Sequence, residues 1–521
     1  MGFHACMENF IAKHAHKLQG TLSCFDRMLF RGYLPFFSGA AMAEFLDRRG
    51  VRRPELKGFL LGQASRLKEH ARRMAVRGGR PFQYFQGRVR KEELARQIAE
   101  RDHIEQGLVC VFSTLEPCRT FSLRWDHASY IRPATRKCLF LYYYFMDPEF
   151  GLIHVRIQTW FPLQLQVYLN GHEWLARKLA RHGVRFTKQD NAFLWIEDFR
   201  RAQSFADRFV SLDWVARLDR YARTVNPLLK DLLAPMSYYW VTAQAEFSTD
   251  IVFKTRPQLE ELAPRLLEHS TLHFGARDIL TFLGRKPHGN FAGEITTDQA
   301  HRFIGGRVPG RRVKHRLKQN WLKLYDKAGL IVRVETVINS PEEFRVRRRV
   351  RRCGRWVTRW VPLRKSVAYL FRYREISLQS NSRYLNALAQ VDDPTPGLRA
   401  LDVLTSRKQP LPARPVKAFN PLARPDHHLF LALMSGEHAL HGFTNGDLRD
   451  KLTASVVRLH PDPKRAGSQV SRLLHRLHVY GLIAKIPRSR RWRVTPFGNS
   501  AMAAAVRLRQ RDFPRLYAAV A

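Results

Sequence analysis

The chain has 521 residues with 45% hydrophobic side chains, which excludes global disorder and predicts about two to four domains. Lysine and arginine total 89 against 45 aspartates and glutamates, giving a formal net charge of +44. A compact chain with this charge repels itself unless a polyanion screens it, so DNA, RNA or both are the expected partners.

Hydropathy and cysteine spacing exclude other classes of protein. No apolar run approaches the ~18 residues of a membrane span, and the start lacks the apolar core of a signal peptide. The six cysteines are scattered and form no Cys-x-x-Cys pair, so no structural zinc site is predicted. We therefore expect a cytoplasmic, nucleoid-associated protein that does not contact membranes and contains no metal cofactor.

Changes in pattern along the chain predict four regions. The fold class expected for the first is α/β or α+β, because strand and helix patterns alternate there. The regions are a mixed α/β domain at 1–235, a basic β platform with flanking helices at 236–395, a proline-rich linker at 396–424 and a winged helix-turn-helix at 425–521. The linker is expected to be an extended tether.

Within the first region, apolar alternation indicates strands and one clear hairpin. The hairpin turns at residues 147–151, and the first strand is expected to reverse at Arg31-Gly32. The predicted elements are a strand at Thr21–Pro35, a strand at Gly107–Pro117, the hairpin Cys138–Trp160, a helix at Gly171–His182 and a strand at Asn191–Phe199.

The central region carries a concentration of arginine. Residues 311–339 predict two strands around a turn at 326–329, and residues 345–365 hold nine arginines and no acidic residue. Trp356 and Trp360 share one predicted strand face, and a core position is favoured for both. The side chains expected to grip a nucleic-acid backbone are Arg312, Lys314, Arg316, Lys318, Arg345, Arg347, Arg349, Arg351, Arg355 and Arg359.

The C-terminal segment has the pattern helix, break at Gly442, helix capped by Thr444 or Asn445, third helix and hairpin. Over about the last 95 residues it resembles the winged helix-turn-helix of MarR-type bacterial regulators, and the whole chain resembles a bacterial family labelled winged-helix or MarR-like. That resemblance implies no catalytic residue. It implies that Arg472 and Arg476 face DNA, while Arg488, Arg490 and Arg491 contact phosphate from the wing.

Catalysis stays open. The alternative to a binding protein is a metal-dependent nuclease or transposase of a mobile element, with a ribonuclease-H-like first domain that would use Mg²⁺. The candidate metal-binding carboxylates are Asp26, Glu116 and Asp190, each placed at or near a predicted strand. Carboxylates at strand ends are also common as caps and ion-pair partners, so these residues do not decide between the two functions.

Overall fold

The computed structural model describes residues 8–123, 131–285, 294–304, 308–389, 391, 397–408, 415–436, 438, 442–453 and 459–520. These residues form a mixed α/β fold with a large mixed sheet.

Up to residue 253, long strands alternate with helices. The elements are α1 Glu8–His14, β1 Leu18–Tyr33, α2 Gly39–Arg48, α3 Leu56–Arg77, β2 Phe82–Phe85, α4 Lys91–Arg101, β3 Gly107–Leu123, β4 Ile131–Asp147, β5 Gly151–Gln158, β6 Leu165–Asn170, α5 Gly171–Arg181, β7 Phe186–Gln189, β8 Ala192–Ile196, α6 Phe199–Asp207, α7 Trp214–Val225 and β9 Tyr239–Phe253.

Beyond residue 253, a strand-rich stretch is followed by a helical one. The elements are α8 Arg256–Leu272, α9 Ala276–Phe282, β10 Ile295–Ile304, β11 Val308–Leu317, β12 Asn320–Lys327, β13 Ile331–Ile338, β14 Arg345–Arg352, β15 Arg355–Pro362, α10 Leu370–Leu388, α11 Gly397–Thr405, α12 Arg424–Leu433, α13 Asn445–Thr453, α14 Pro463–Val479, β16 Ile483–Lys485, β17 Trp492–Val494, α15 Pro496–Arg507 and α16 Phe513–Val520.

The chain divides into two compact units. The first comprises Gly20–Asp250 with Glu335–Leu378, and its sheet has the strand order β13-β9-β1-β6-β5-β4-β3-β2. Strands β2 and β3 are parallel and β3 to β6 with β1 are antiparallel neighbours, which makes this sheet mixed. The second unit comprises Met1–Gln19, Ile251–Val334 and Gln379–Ala521, with the order β10-β11-β12-β13-β9.

In the first unit, helices α5 and α7 pack on the sheet over an aromatic core. Phe25 and Phe30 of β1 meet Phe209 and Trp214, with ring centroids 5.2 Å and 5.0 Å apart respectively. Aromatic rings at these separations add to the stabilisation that burial itself provides. This core fixes β1 against the helical layer.

Strand β1 corrects the expected reversal at Arg31-Gly32, because it runs without interruption to Tyr33. Glycine is required at position 32 for a different reason. A Cβ atom there would lie 2.8 Å from the ring of Tyr238 and 3.0 Å from that of Trp240. Gly32 therefore permits close approach of two aromatic side chains and does not form a turn.

The hairpin Cys138–Trp160, the helix Gly171–His182 and the strand within Asn191–Phe199 are confirmed as β4–β5, α5 and β8. The two-strand interpretation of residues 311–339 is wrong, since a turn at Lys318-Gln319 divides the segment into β11, β12 and β13. Lys318 has φ +54° in that turn, so it does not share the strand face of Arg312, Lys314 and Arg316.

The β4–β5 and β12–β13 hairpins have similar turns, in which an aspartate side chain accepts hydrogen bonds from backbone amides of the turn. Asp147 Oδ1 accepts hydrogen bonds from the amides of Glu149 and Phe150, and Asp326 Oδ1 accepts one from Gly329. Gly151 (φ +70°) begins β5 and Gly329 (φ +66°) lies two residues before β13, and the related sequences GLIHVRIQT and GLIVRVET start at these glycines. The glycines are needed because other residues rarely adopt this backbone conformation.

The extended tether is wrong for its N-terminal part. Residues Gly397–Thr405 form α11, and Leu404 is fully buried in the C-terminal core with Phe419, Phe430 and Leu433. Burial of the Leu404 side chain stabilises α11, although the prolines nearby in the sequence do not predict a helix there. Residues 409–414 of the predicted linker lie outside the described residues, and the other predicted boundaries stay predictions.

Gly171 provides a test of how closely α5 approaches β1. A Cβ at this position would lie 2.3 Å from the carbonyl oxygen of Phe25, so Gly171→Ala should lower the free energy of unfolding by about 1–3 kcal/mol. Gly62→Ala is the matched control because nothing lies within 4 Å of the added methyl, and it should stabilise α3 by about 0.5–1 kcal/mol. Chemical denaturation measures both, and equal effects would contradict the close approach.

Candidate nucleic-acid interface and carboxylate cluster

Strands β14 and β15 form a two-stranded antiparallel sheet, here called the arginine ribbon. The register pairs Val346 with Val361 and Val350 with Val357, so the four valines share one face. Val346 is 6% exposed and the other three valines are half-buried, so this face is the more packed of the two, most of all at Val346. Because successive side chains on a strand point to opposite sides, the other face carries the remaining alternate residues.

That outer face is basic, as the sequence predicts. It presents a row of exposed arginines on β14: Arg345, Arg347, Arg349 and Arg351. Arg355 and Arg359 of β15 are exposed as well but lie on the valine side. No acidic residue occurs between Arg345 and Lys365, so the row is not neutralised from within its own hairpin.

The core position favoured for Trp356 and Trp360 is wrong, since each is 62% exposed. The register explains this result. Trp360 pairs with Arg347 and Trp356 with Arg351, so both rings share the outer face with the arginine row. The Arg349 guanidinium carbon lies 5.7 Å from the centroid of the Trp356 ring, within cation–π range.

The basic row of β11 is less open than the ribbon. Arg312 and Lys314 are half-buried and Arg316 is exposed. The Lys314 ammonium lies 3.9 Å from the centroid of the Trp321 ring. Burial lowers the pKa of Lys314, and the neighbouring charges of Arg312 and Lys323 lower it further. In this row the central cation, Lys314, therefore already contacts an aromatic ring, that of Trp321.

The C-terminal helices and strands form a separate core in the second unit. The spacing in α14 predicts that Val470, Leu473, Leu474 and Leu477 are buried, and all are except Leu473, which is partly buried. Thr444 caps α13 through reciprocal bonds with Asp447. A bridge between Phe443 and Trp492 joins the chain before α13 to strand β17. The exposed side of α14 carries Lys464, Ser468, Ser471, Arg472 and His475.

Arg476 does not face outward, which corrects the role that the resemblance implied for it. Its guanidinium forms a bidentate ion pair with Asp426 at 3.0 Å and 3.1 Å and donates to the carbonyls of Lys417 and Ala418. It also lies 3.8 Å from the centroid of the Phe419 ring. Arg472, Arg488 and Arg490 are exposed, while Arg491 donates to the Gly442 carbonyl at 3.1 Å.

Of the carboxylates proposed from sequence, Glu116 and Asp190 do not join Asp26 in the one possible metal-binding group that the described residues contain. Glu116 accepts from the Tyr142 hydroxyl at 2.6 Å and is ion-paired with Arg156, so it is a structural acceptor. Asp190 is exposed in the β7–β8 turn with φ +51°. The neighbouring Asn191, and not Asp190, reaches Asp26.

Asp26 instead lies beside two acids that the sequence interpretation missed. Asp26, Glu246 and Glu335 each contribute a carboxylate oxygen to a group within 4.8 Å of one another, here called the carboxylate cluster. Their exposures are 1%, 5% and 1%. They meet because their strands β1, β9 and β13 are neighbours in the order β13-β9-β1.

Amide donors fix the position of Asp26. The Asn170 side-chain amide donates to Asp26 Oδ1 at 2.8 Å and the Asn191 amide donates to Oδ2. Asn170 also caps α5 by accepting from the amides of His172 and Glu173, which ties the start of that helix to the cluster. Such bonds stabilise the ionised form of a carboxylate.

His172 extends the cluster towards Asp250. Its Nδ1 lies 3.4 Å from Asp26 Oδ1, and its Nε2 lies 3.3 Å from Ser248 Oγ and 4.0 Å from Asp250 Oδ2. The adjacent Glu173 pairs with Lys188 at 2.8 Å, so His172 and Glu173 have different partners. Alternation along β9 places Glu246, Ser248 and Asp250 on one face.

A cation lies close to this group. Burial disfavours the charged Arg27 guanidinium. The nearby Tyr168, Glu246 and Asp26 outweigh that effect and raise its pKa. Oxygen ligands at the spacing of the three carboxylates suit a hard divalent cation such as Mg²⁺ or Mn²⁺. Asp26, Glu246 and Glu335 are therefore the residues that could hold one.

Comparison of the chain with protein-family models, curated proteins and solved structures gives no match. Among the described residues, no helix combines the length and the apolar character that a membrane crossing requires. The functional argument therefore depends on the residues themselves.

The structural role of Arg476 can be distinguished experimentally from the exposed position of Arg472. Arg476→Ala removes the partner of a largely buried Asp426 and should destabilise the C-terminal core by about 3 kcal/mol. Arg472→Ala, at an exposed position one turn away, should change stability by less than about 0.5 kcal/mol. Hydrogen exchange of the α12 and α14 amides measures the stability of this core separately from the rest of the chain. Equal protection in both variants would contradict the structural role of Arg476.

Proposed function

We propose that this chain is a multidomain nucleic-acid-binding protein that grips a phosphate backbone with its arginine ribbon. The observation that carries the proposal is the exposed row of Arg345, Arg347, Arg349 and Arg351, in a hairpin free of acidic residues and a chain of net charge +44. Guanidinium groups bind phosphate through paired donors and stay charged at any physiological pH. DNA and a structured RNA are both candidate partners.

The C-terminal region supports a second contact, to duplex DNA. The order α12, α13, α14, β16, β17 and the bridge from Phe443 to Trp492 suit a winged helix-turn-helix. In that arrangement α14 enters the major groove, where Arg472 and His475 reach base edges. Arg488 and Arg490, at the tip of the β16–β17 hairpin, then meet phosphates, as a wing does.

The ribbon makes a quantitative prediction about salt. Each phosphate that is no longer neutralised should make the log–log slope of affinity against salt shallower by about 0.9 on duplex DNA. Arg347→Ala with Arg349→Ala should therefore weaken binding to all sequences alike and reduce the slope by up to about 1.8. Fluorescence anisotropy over a salt series measures both quantities.

The matched control removes the same charge elsewhere. Arg88 and Arg200 are also exposed, so Arg88→Ala with Arg200→Ala changes the net charge equally without touching the ribbon. If the control pair and the ribbon pair shift the slope equally, the ribbon is not the contact surface. A wild-type affinity that does not change with salt would contradict backbone gripping by the arginine ribbon.

A second candidate function is metal-dependent cleavage or transfer of phosphodiester bonds, as in nucleases and transposases. The specific observation that favours it is the carboxylate cluster, in which three neighbouring strands supply Asp26, Glu246 and Glu335. A divalent cation bound there would lower the pKa of a bound water and offset charge on the reacting phosphate. Asn170, Asn191 and His172 would hold Asp26 in position.

Catalysis is tested with labelled single-stranded and supercoiled DNA in Mg²⁺ or Mn²⁺. Cleavage should disappear in Asp26→Ala and in Glu335→Gln, which keeps the size of the side chain while removing a carboxylate. Asp190→Asn is the control, because that exposed turn residue lies outside the cluster. Mn²⁺ should also raise the melting temperature of the wild type more than that of Glu335→Gln. Cutting by all variants alike would show a contaminating nuclease and exclude this candidate.

A further inference from the structure

We propose that the outer face of the arginine ribbon binds unpaired nucleotides, with bases stacked on Trp356 and Trp360 and phosphates held by the β14 arginines. This inference rests on the proposed nucleic-acid function and specifies its substrate class. It follows from the register, which brings a basic row and two aromatic rings to the same exposed face.

On this face, arginine side chains of β14 lie opposite tryptophan side chains of β15. Directly opposite each tryptophan is an arginine, with Arg347 across from Trp360 and Arg351 across from Trp356. Between them lies the small Thr358, opposite Arg349. Cross-strand neighbours on one face are close enough to contact the same ligand. One nucleotide can therefore meet a ring and a guanidinium together.

Both rings are accessible. Each tryptophan remains 62% exposed, although burial of such a large apolar surface is normally favourable. Arg349 lies near Trp356, and a guanidinium on one side of a ring leaves its opposite side for a base. A pair of exposed tryptophans on a cationic face suits a ligand that supplies both aromatic planes and negative charge.

Spacing favours unpaired over paired bases. Trp356 and Trp360 are separated by four positions on β15, which corresponds to about 13 Å at ~3.3 Å per residue. A duplex stacks its bases about 3.4 Å apart and leaves no base face free inside the helix. An unpaired strand can turn successive bases outward, and aromatic stacking then binds them regardless of sequence.

The experiment compares single and double strands on the full chain. The probes are fluorescent oligothymidylate and oligouridylate of about 20 nucleotides, longer than the ~4–16 that one comparable surface covers, and a blunt duplex of the same length. Trp356→Ala with Trp360→Ala should weaken single-strand binding at least about tenfold, because each stack contributes on the order of a tenfold change. Duplex binding should change less than about twofold.

Three further variants make the outcome specific. Trp356→Phe with Trp360→Phe keeps an aromatic plane and should restore most single-strand affinity. Trp195→Ala removes another partly exposed tryptophan, 39% accessible, and should have no effect. Arg347→Ala with Arg349→Ala should weaken both probes. Because both ribbon tryptophans are exposed, their replacement should leave the melting temperature unchanged, which excludes misfolding as the cause.

The results separate this inference from the proposed function. If the wild type binds neither single nor double strands, the nucleic-acid function fails. If it binds both and the Trp356→Ala, Trp360→Ala variant weakens both equally or neither, nucleic-acid binding stands and base stacking is wrong. If that variant instead abolishes only the capture of an acidic protein or of anionic vesicles, the tryptophans serve a different partner and the inference is overturned.

Discussion

The carboxylate of Asp26 joins three parts of the first unit. It lies on β1 and accepts two hydrogen bonds. One comes from the side-chain amide of Asn170, which caps α5, and the other from that of Asn191 in the β7–β8 turn. A buried carboxylate costs free energy unless hydrogen bonds or a cation stabilise its charge. Hydrogen bonds to this one buried carboxylate therefore tie α5 and the β7–β8 hairpin to β1, and Gly171 allows the helix to approach closely enough.

The ribbon follows from a simpler constraint, which is the period of two along a strand. Val346, Val350, Val357 and Val361 take one face, together with Arg355 and Arg359, so Trp356, Trp360 and the row of β14 arginines take the other. Burying the valines is favourable, whereas burying guanidinium groups without partners is not. The orientation of the hairpin is thus decided by its valines, and the tryptophans are exposed because they alternate with those valines.

Features that depend on neighbours in sequence were predictable, and those that depend on strand order were not. Local alternation predicts the β4–β5 hairpin, helix α5 and the arginine row. The exposure of Trp356 also follows from local alternation, because its neighbour on β15, Val357, faces the opposite side. Glu246 and Glu335 were not predictable in this way. Neither acid is marked by a local motif in its strand, and only the order of strands in the sheet brings them to Asp26.

The two candidate sites of the first unit differ in charge and burial, with exposed guanidinium groups on the ribbon and buried carboxylates in the cluster. A phosphate is attracted to the ribbon without help, since its exposed guanidinium groups are always ionised. The carboxylate cluster lies beside Arg27, and phosphate chemistry there would need the further positive charge of a bound divalent cation. Binding should consequently persist in a chelator while any chemistry at Asp26 should not. If a chelator abolished both together, the nucleic acid would bind at the cluster, and the ribbon would be only a solvated surface.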